Sequence, residues 1–443
     1  MRQAGLAPAP RWTPLRVVGV AAVAAAAIVA IDRLPHPGAL VSSQAEPPPV
    51  PAMGPARTYQ DLYGQQSATL AARRDRASSR ADEWLIHEQY ARSAFARGRL
   101  SGSYDDYHLA QEELDRAFQV APPGTGPHLS QAVLDLMMHR LAHAEQMLAA
   151  IEGYAVGPDS GERAEMAGMR GDIAFYRGDY AGAQRGYDEA DRLAPGSSDF
   201  RRAIFHAKTG RPDLAQGYFD RYEQKLVRPD RHMRANMALQ RGILELDFGR
   251  LEEAMAHFRA AEALFPGWWL VEEHIAETTA LLGDKAGAER LYRGIIDRTG
   301  NPEFMDALAA LLIERGQSGE AEKLRRRSAI IWDRRIKQFP EASYGHALSH
   351  CVTYGQTDCA LRLARRNFAA RPYGEAGEQL ATALVASGHP EEARGVIDQV
   401  LASPWRTAHT DQAASQTYAA LGDRARAEEY RAAALRLNPH IPL

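Results

Sequence analysis

The chain has 443 residues, two cysteines and a formal net charge of −3 at pH 7. Apolar residues make up 45% and charged residues 25%, which provides a packed core and argues against a disordered chain. The near-balanced charge excludes a global basic field for nucleic acid. The cysteine count excludes a disulfide-framed small domain and a four-cysteine zinc site.

The N-terminal residues have the pattern of an export signal or a membrane anchor. Residues 1–16 are basic and carry no acid, and residues 17–31 form an unbroken apolar run. A helix of that length spans about 22 Å, less than the roughly 30 Å of a bilayer core. Small residues suited to cleavage come only at 43–45, which favours an uncleaved anchor over a cleaved signal. An apolar helix buried in the fold is a third interpretation.

The order of these segments predicts the side of the membrane on which the chain lies. Because the arginines precede the apolar run, the remainder is expected to be exported across the inner membrane into the periplasm. Residues 32–57 contain the stretch EPPPVPAMGPA and predict a stiff Pro-rich linker. Abundant Ala and a strong preference for Arg over Lys are typical of a GC-rich bacterial genome.

One frame repeats through residues 164–443. In eight segments a glycine precedes a helical alanine by five residues, and the residue twelve positions before the alanine is small in seven of them. The alanines are Ala183, Ala215, Ala254, Ala288, Ala321, Ala360, Ala393 and Ala427, and the glycines are Gly178, Gly210, Gly249, Gly283, Gly316, Gly355, Gly388 and Gly422. We call these residues the anchor alanines and the turn glycines.

The repeated frame predicts antiparallel helical hairpins. Small residues let two helices cross closely, and a glycine in the left-handed conformation ends the first helix. In the first half of the repeats an aromatic residue follows the anchor alanine by four positions, as in Tyr187, Phe219, Phe258 and Tyr292. Three longer spacings, near 153–162, 228–234 and 329–341, predict lengthened helices or loops.

Residues 169–195 and 240–266 resemble tetratricopeptide (TPR) repeats. The resemblance covers roughly residues 80–443, and two degenerate units centred on Ala110 and Ala144 precede the clear repeats. It implies an all-α fold, a right-handed α-solenoid of about ten TPR helical hairpins over residues 58–443, preceded by the N-terminal hydrophobic helix. Residues 58–80 predict a leading helix that caps the stack.

The TPR resemblance also implies that the first helix of each hairpin lines a concave face where peptides bind. Helical spacing from the anchor alanines selects one stripe of these helices. The stripe holds ten acids and one base, Lys208; the acids are Glu165, Asp172, Asp247, Glu273, Glu277, Glu303, Asp306, Glu314, Glu375 and Glu378. These acids predict a groove that binds a basic segment of a protein or peptide. The alternative is that they are solvated helix residues without a ligand.

No catalytic motif is present in the sequence. Gly-rich phosphate loops and the H-E-x-x-H, G-x-S-x-G and C-x-x-C patterns are all missing, which predicts a non-catalytic chain without a cofactor. The favoured function is a protein-interaction scaffold or assembly factor of the bacterial cell envelope. It contacts the membrane through residues 17–31 and does not bind nucleic acid.

Metal or cation handling is the alternative function. Imidazole and thiolate bind zinc or copper, so His346, His350 and Cys351 are weak candidates for metal ligands. Cys351 and Cys359 can form a disulfide in an oxidising compartment, but two separate buried thiols are the favoured interpretation. The double tryptophan at 268–269 either anchors a ligand peptide or packs between repeats, and packing is favoured.

Overall fold

The computed structural model describes residues 54–441. Across this range the chain is all-α and forms a solenoid of consecutive hairpins. The predicted segments 1–16 and 17–31 and most of the predicted linker lie outside the described residues. We number the described helices α1 to α21 in chain order.

A leading helix, α1 (Tyr59–Ser79), precedes ten helical hairpins in the described part of the chain. The hairpins are α2 (Trp84–Ser101) with α3 (Tyr104–Val120), α4 (His128–Met137) with α5 (Leu141–Ile151), α6 (Ser160–Tyr176) with α7 (Tyr180–Leu193), α8 (Asp199–Lys208) with α9 (Pro212–Lys225), α10 (Arg231–Asp247) with α11 (Leu251–Leu264), α12 (Trp269–Leu281) with α13 (Lys285–Thr299), α14 (Pro302–Glu314) with α15 (Ser318–Gln338), α16 (Pro340–Thr353) with α17 (Thr357–Ala370), α18 (Gly374–Ala386) with α19 (Pro390–Ala402), and α20 (Ala408–Ala420) with α21 (Arg424–Leu437).

The turn glycines have the predicted backbone conformation. All eight have positive φ angles, between 66° for Gly355 and 98° for Gly283. A side chain is strained in this region, so glycine at these positions ends each first helix at low cost. In the degenerate unit centred on Ala144 the same position is occupied by His139, whose φ is 57°.

The anchor alanines lie where the two helices of a hairpin cross. Seven of them are buried, and only Ala427 in the last hairpin is partly exposed. Gly171 and Gly242 lie at the opposing positions on α6 and α10, where the rings of Tyr187 and Phe258 pack directly over their Cα atoms. A Cβ atom at Gly171 would lie 2.6 Å from the Tyr187 ring, so the close crossing requires glycine.

The three longer repeat spacings take both predicted forms. The first two are loops, between α5 and α6 and between α9 and α10. The third lengthens α15 to 21 residues. Each of these inserts exposes one aliphatic side chain to solvent, namely Val156, Val227 or Ile330.

The hairpins form two layers of helices. The first helices of the hairpins make up the inner layer, and α14 is buried along nearly its whole length, from Pro302 to Leu312. The second helices are amphipathic: α9 buries only Ala215 and Phe219 and exposes its opposite face. A helix that is buried all round needs neighbours on several sides. For α14 the helices α15 and α16 provide contacts on its Asp306 side.

Further contacts come from the next turn of the superhelix. The Trp269 indole donates to the Leu100 carbonyl at 2.9 Å, across 169 residues. The Gly374 amide donates to the Tyr180 hydroxyl at 2.9 Å, across 194 residues, and the Asn438 amide donates to the Asp247 carbonyl at 3.2 Å, across 191 residues. Since the separations are similar along the chain, consecutive turns of the superhelix pack directly against each other.

Substitution of Gly242 tests the close crossing. Gly242→Ala places a methyl group against the Phe258 ring, and we expect a loss of about 1–3 kcal/mol in the free energy of unfolding, as for other overpacked cores. The measurement is urea unfolding followed by circular dichroism.

Gly294→Ala is the matched control for this substitution. Gly294 lies in the exposed middle of α13 with no atom near its added Cβ, so alanine is expected to stabilise the helix by up to about 1 kcal/mol. Equal effects of the two substitutions would show that the crossing tolerates a side chain.

Candidate functional site

The ten acids of the predicted stripe lie in the inner layer, and seven of them are buried. Glu165, Asp172, Glu273, Glu277, Glu303, Asp306 and Glu378 have almost no solvent contact. Asp247, Glu314 and Glu375 are more exposed. The alternative of solvated helix residues therefore does not hold for these seven acids, which neighbouring helices cover.

The first buried acids form an ion-pair triad with Arg201. Its guanidinium donates to Glu165 at 2.6 Å and to Asp172 at 2.9 Å, and Asp172 also accepts from the Tyr187 hydroxyl at 3.1 Å. Burial raises the pKa of Asp172 to about 6, although the nearby Arg201 opposes the rise. Arg201 is a neutralising cation that the sequence interpretation missed.

Asp247 and Glu314 are paired with lysines and keep part of their solvent contact. Lys208 donates to Asp247 at 2.9 Å, and the Asp247 side chain is 38% exposed. Lys285 donates to Glu314, whose side chain is 21% exposed. Both acids end the first helix of their hairpin, at the edge of the inner layer.

Asp306 is fully buried and fully hydrogen-bonded. It accepts from the Ser328 hydroxyl at 2.7 Å and from the Trp332 indole at 2.8 Å, and the His350 ring lies at 2.9 Å. Glu303 lies 3.5 Å from both Arg335 and His346. These contacts bind the inner helix α14 to α15 and α16.

The predicted metal candidates do not form a common site. His346 contacts Glu303, whereas His350 contacts Asp306. Cys351 is joined to Cys359 in a disulfide that links α16 to α17, so its thiolate is not available to a metal. The favoured interpretation of two separate thiols is therefore wrong.

Glu378 accepts three hydrogen bonds from the α19–α20 connection and the start of α20. The Trp405 indole donates at 2.7 Å and the Thr407 hydroxyl at 2.6 Å, and the Thr410 hydroxyl also donates. Burial raises the pKa of Glu378 to about 7, and these three donors oppose the rise. The pKa of Glu375, one turn earlier, is also raised because its carboxylate is desolvated, with Lys208 opposing the rise.

Glu273 and Glu277 have neither an Arg or Lys partner, as Asp172 has, nor the set of hydroxyl and indole donors that Asp306 and Glu378 have. Glu273 has no solvent contact, and neither of its carboxylate oxygens has a hydrogen-bond partner. Burial, with Glu277 and Glu303 nearby, raises the pKa of Glu273 well above its ordinary value. The neighbour of both acids is His274, which the sequence interpretation did not select.

The double tryptophan packs inside the fold. Trp269 bonds to Leu100 of the preceding turn, and Trp268 lies against Phe265 and His232. Neither ring offers a free face for a ligand peptide, in agreement with the favoured interpretation.

Comparison with known proteins is limited to structure. No protein-family model and no curated protein sequence matches the chain. A tetratricopeptide repeat protein from Parabacteroides merdae is 15% identical over 55% of this chain and 93% of its own, with a TM-score of 0.34. Yeast Tom70 is 13% identical over 84% of this chain and 91% of its own, with a TM-score of 0.42. The Cut9–Hcn1 hetero-tetramer of the APC/C is 11% identical over 86% of this chain and 81% of its own, with a TM-score of 0.38.

Because these TM-scores are low, the assignment of the fold depends on the hairpins of the chain itself. Their turn glycines, anchor alanines and two-layer stacking are those predicted from the repeats. The chain has the tetratricopeptide-repeat fold. A shared fold does not specify a function, which must be argued from sites.

In residues 54–441 the inner layer of this TPR superhelix is largely buried. Apart from Glu273 and Glu277, most of the acids that were predicted to bind a partner are held by bases and donors of the same chain. Their role in binding a basic segment remains a prediction, which applies most directly to Asp247 and Glu314. In residues 54–441 no helix is long and apolar enough to cross a membrane.

Replacement of Arg201 tests whether the inner charges are structural. Arg201→Met leaves Glu165 and Asp172 buried without their cation, and we expect a loss of about 3–5 kcal/mol in the free energy of unfolding. The measurement is the midpoint of urea unfolding.

Arg192→Met provides the matched control, because Arg192 pairs with Glu189 on the surface of α7. We expect its midpoint to stay close to that of the unmodified protein. A midpoint for Arg201→Met equal to that of the control would contradict a structural role for the triad.

Proposed function

We propose that the chain is a non-catalytic protein-interaction scaffold of the bacterial cell envelope. In this proposal residues 17–31 hold it at the inner membrane and the TPR superhelix lies in the periplasm. The observation that carries the proposal is the architecture: the described residues form one leading helix and ten hairpins, whose inner layer is used for packing. The surface left for function is the outer helices, the helix ends and the inserts.

The disulfide between Cys351 and Cys359 supports the exported location. Disulfides persist in oxidising compartments such as the bacterial periplasm and are rare in the cytosol. The basic residues before the apolar run favour the same orientation.

The partner is proposed to present a basic segment. Asp247 and Glu314 are the members of the predicted stripe whose exposed carboxylates are paired only with lysines of the same chain. A guanidinium of a partner can compete for such a carboxylate, because it makes two parallel hydrogen bonds where an ammonium makes one. Binding at an exposed carboxylate is weakened by salt.

Affinity capture from membranes tests this proposal. The full chain with a C-terminal tag is treated in native membranes with a carbodiimide, which joins carboxylates to amines, and attached peptides are identified by mass spectrometry. We expect a stoichiometric partner whose Lys/Arg-rich segment is joined to Asp247 or Glu314, and whose recovery falls at high salt.

A double variant and a matched control sharpen this test. Asp247→Asn with Glu314→Gln should lose the partner, whereas Glu252→Gln with Glu253→Gln, on the exposed face of α11, should retain it. Thermal unfolding of both variants confirms that they are folded. Absence of any stoichiometric partner at low salt would contradict the scaffold, and equal recovery with both variants would contradict the basic-segment contact.

A further inference from the structure

Glu273, His274 and Glu277 form a buried cluster on the inner helix α12. One ligand-type atom from each residue lies within 4.8 Å of the other two. Nδ1 of His274 is 3.4 Å from Oε2 of Glu273 and 3.4 Å from Oε2 of Glu277. All three residues are more than nine-tenths buried, so water does not solvate the carboxylates.

Three polar atoms of this cluster lack a hydrogen-bond partner, and the only hydrogen bond within it is the 3.4 Å contact of His274 Nδ1 with Glu277 Oε2. Both oxygens of Glu273 and Nε2 of His274 have no hydrogen-bond partner. Other buried acids of the predicted stripe have partners, as Glu165 and Asp172 have in Arg201 and Asp306 has in Ser328 and Trp332. An ionised carboxylate that is buried without a partner costs several kcal/mol. The cluster therefore lacks a positive charge to neutralise its carboxylates.

The side chains are held in position by the surrounding helices. Glu273 and Glu277 are four residues apart and therefore lie on the same face of α12. The His274 ring stacks on Phe258 of α11, with 5.2 Å between ring centroids and 12° between planes. Glu303, from the next inner helix α14, adds a third carboxylate whose charge acts on Glu273.

We propose that Glu273, His274 and Glu277 bind one divalent metal cation. One imidazole nitrogen and two carboxylate oxygens are donors that suit Zn²⁺. Because these three atoms already lie close together, small rotations of the side chains would bring all of them into contact with one ion. The cation would supply the positive charge that Arg201 supplies to its own pair of acids. This site does not include His346, His350 or Cys351, and it does not depend on the proposed scaffold function.

A metal-binding experiment on the full chain tests the site. The protein is purified in detergent, stripped with a chelator and titrated with Zn²⁺ alone by calorimetry; bound metal is counted by elemental analysis after gel filtration. We expect one equivalent of Zn²⁺ per chain and a rise in the melting temperature that depends on Zn²⁺ concentration. Parallel titrations with Mn²⁺ and Ca²⁺ should show weaker binding, because the imidazole favours Zn²⁺.

Variants of the cluster distinguish this site from adventitious binding. Glu273→Gln, Glu277→Gln and His274→Gln should each weaken Zn²⁺ binding at least tenfold. Glu273→Gln keeps the side-chain shape and removes the unpaired charge, so the metal-free variant should melt no lower than the metal-free parent. Glu252→Gln and His346→Gln serve as controls that should retain binding.

Two results would overturn the proposal. One is Zn²⁺ binding that the cluster variants leave unchanged, which would place the ion elsewhere. The other is a parent protein that binds no Zn²⁺ and whose melting temperature does not respond to it, which would mean that Glu273 is held in the fold as a neutral acid.

Discussion

Direct packing between consecutive turns of the superhelix is the constraint on which the rest of this structure depends. The contacts between Leu100 and Trp269, between Tyr180 and Gly374 and between Asp247 and Asn438 join parts of the chain that are one turn apart. They add neighbours to the inner helices beyond those of the adjacent hairpins. Most side chains on those helices are therefore in a core, whereas those at the helix ends, such as Asp247 and Glu314, keep part of their solvent contact.

This constraint explains the chemistry of the inner layer. A charge inside a core must be paired, hydrogen-bonded or neutral. Arg201 pairs with two acids, Trp405 and two threonines donate to Glu378, and Trp332 and Ser328 donate to Asp306. Each arrangement joins two helices, so the acids specify how the inner helices fit together. Glu273 and Glu277 are the exception that motivates a bound cation.

The local features of the fold could be predicted from the sequence because they depend on near neighbours. The turn glycines, the anchor alanines and the leading helix follow from rules that operate within about 40 residues. The burial of the acidic stripe could not be predicted in this way. It depends on tertiary contacts that no periodicity reports, some between neighbouring hairpins, such as His350 with Asp306, and some between turns, such as Tyr180 with Gly374. The cations that pair with the buried acids were also hard to predict. The sequence shows only that an arginine, Arg201, lies within an inner helix, and not which acids it contacts.

The distance between two exposed sites on facing turns tests the central claim most directly. The Arg406 amide donates to the Lys208 carbonyl at 2.9 Å, and Asp213 and Pro404 lie near this contact on the surface. The two native cysteines are bonded to each other, so Asp213→Cys and Pro404→Cys can carry spin labels selectively. Pulsed electron resonance on the full chain should give one short and narrow distance distribution. A long and broad distribution would mean that the turns are separated in solution, and would contradict a packed superhelix.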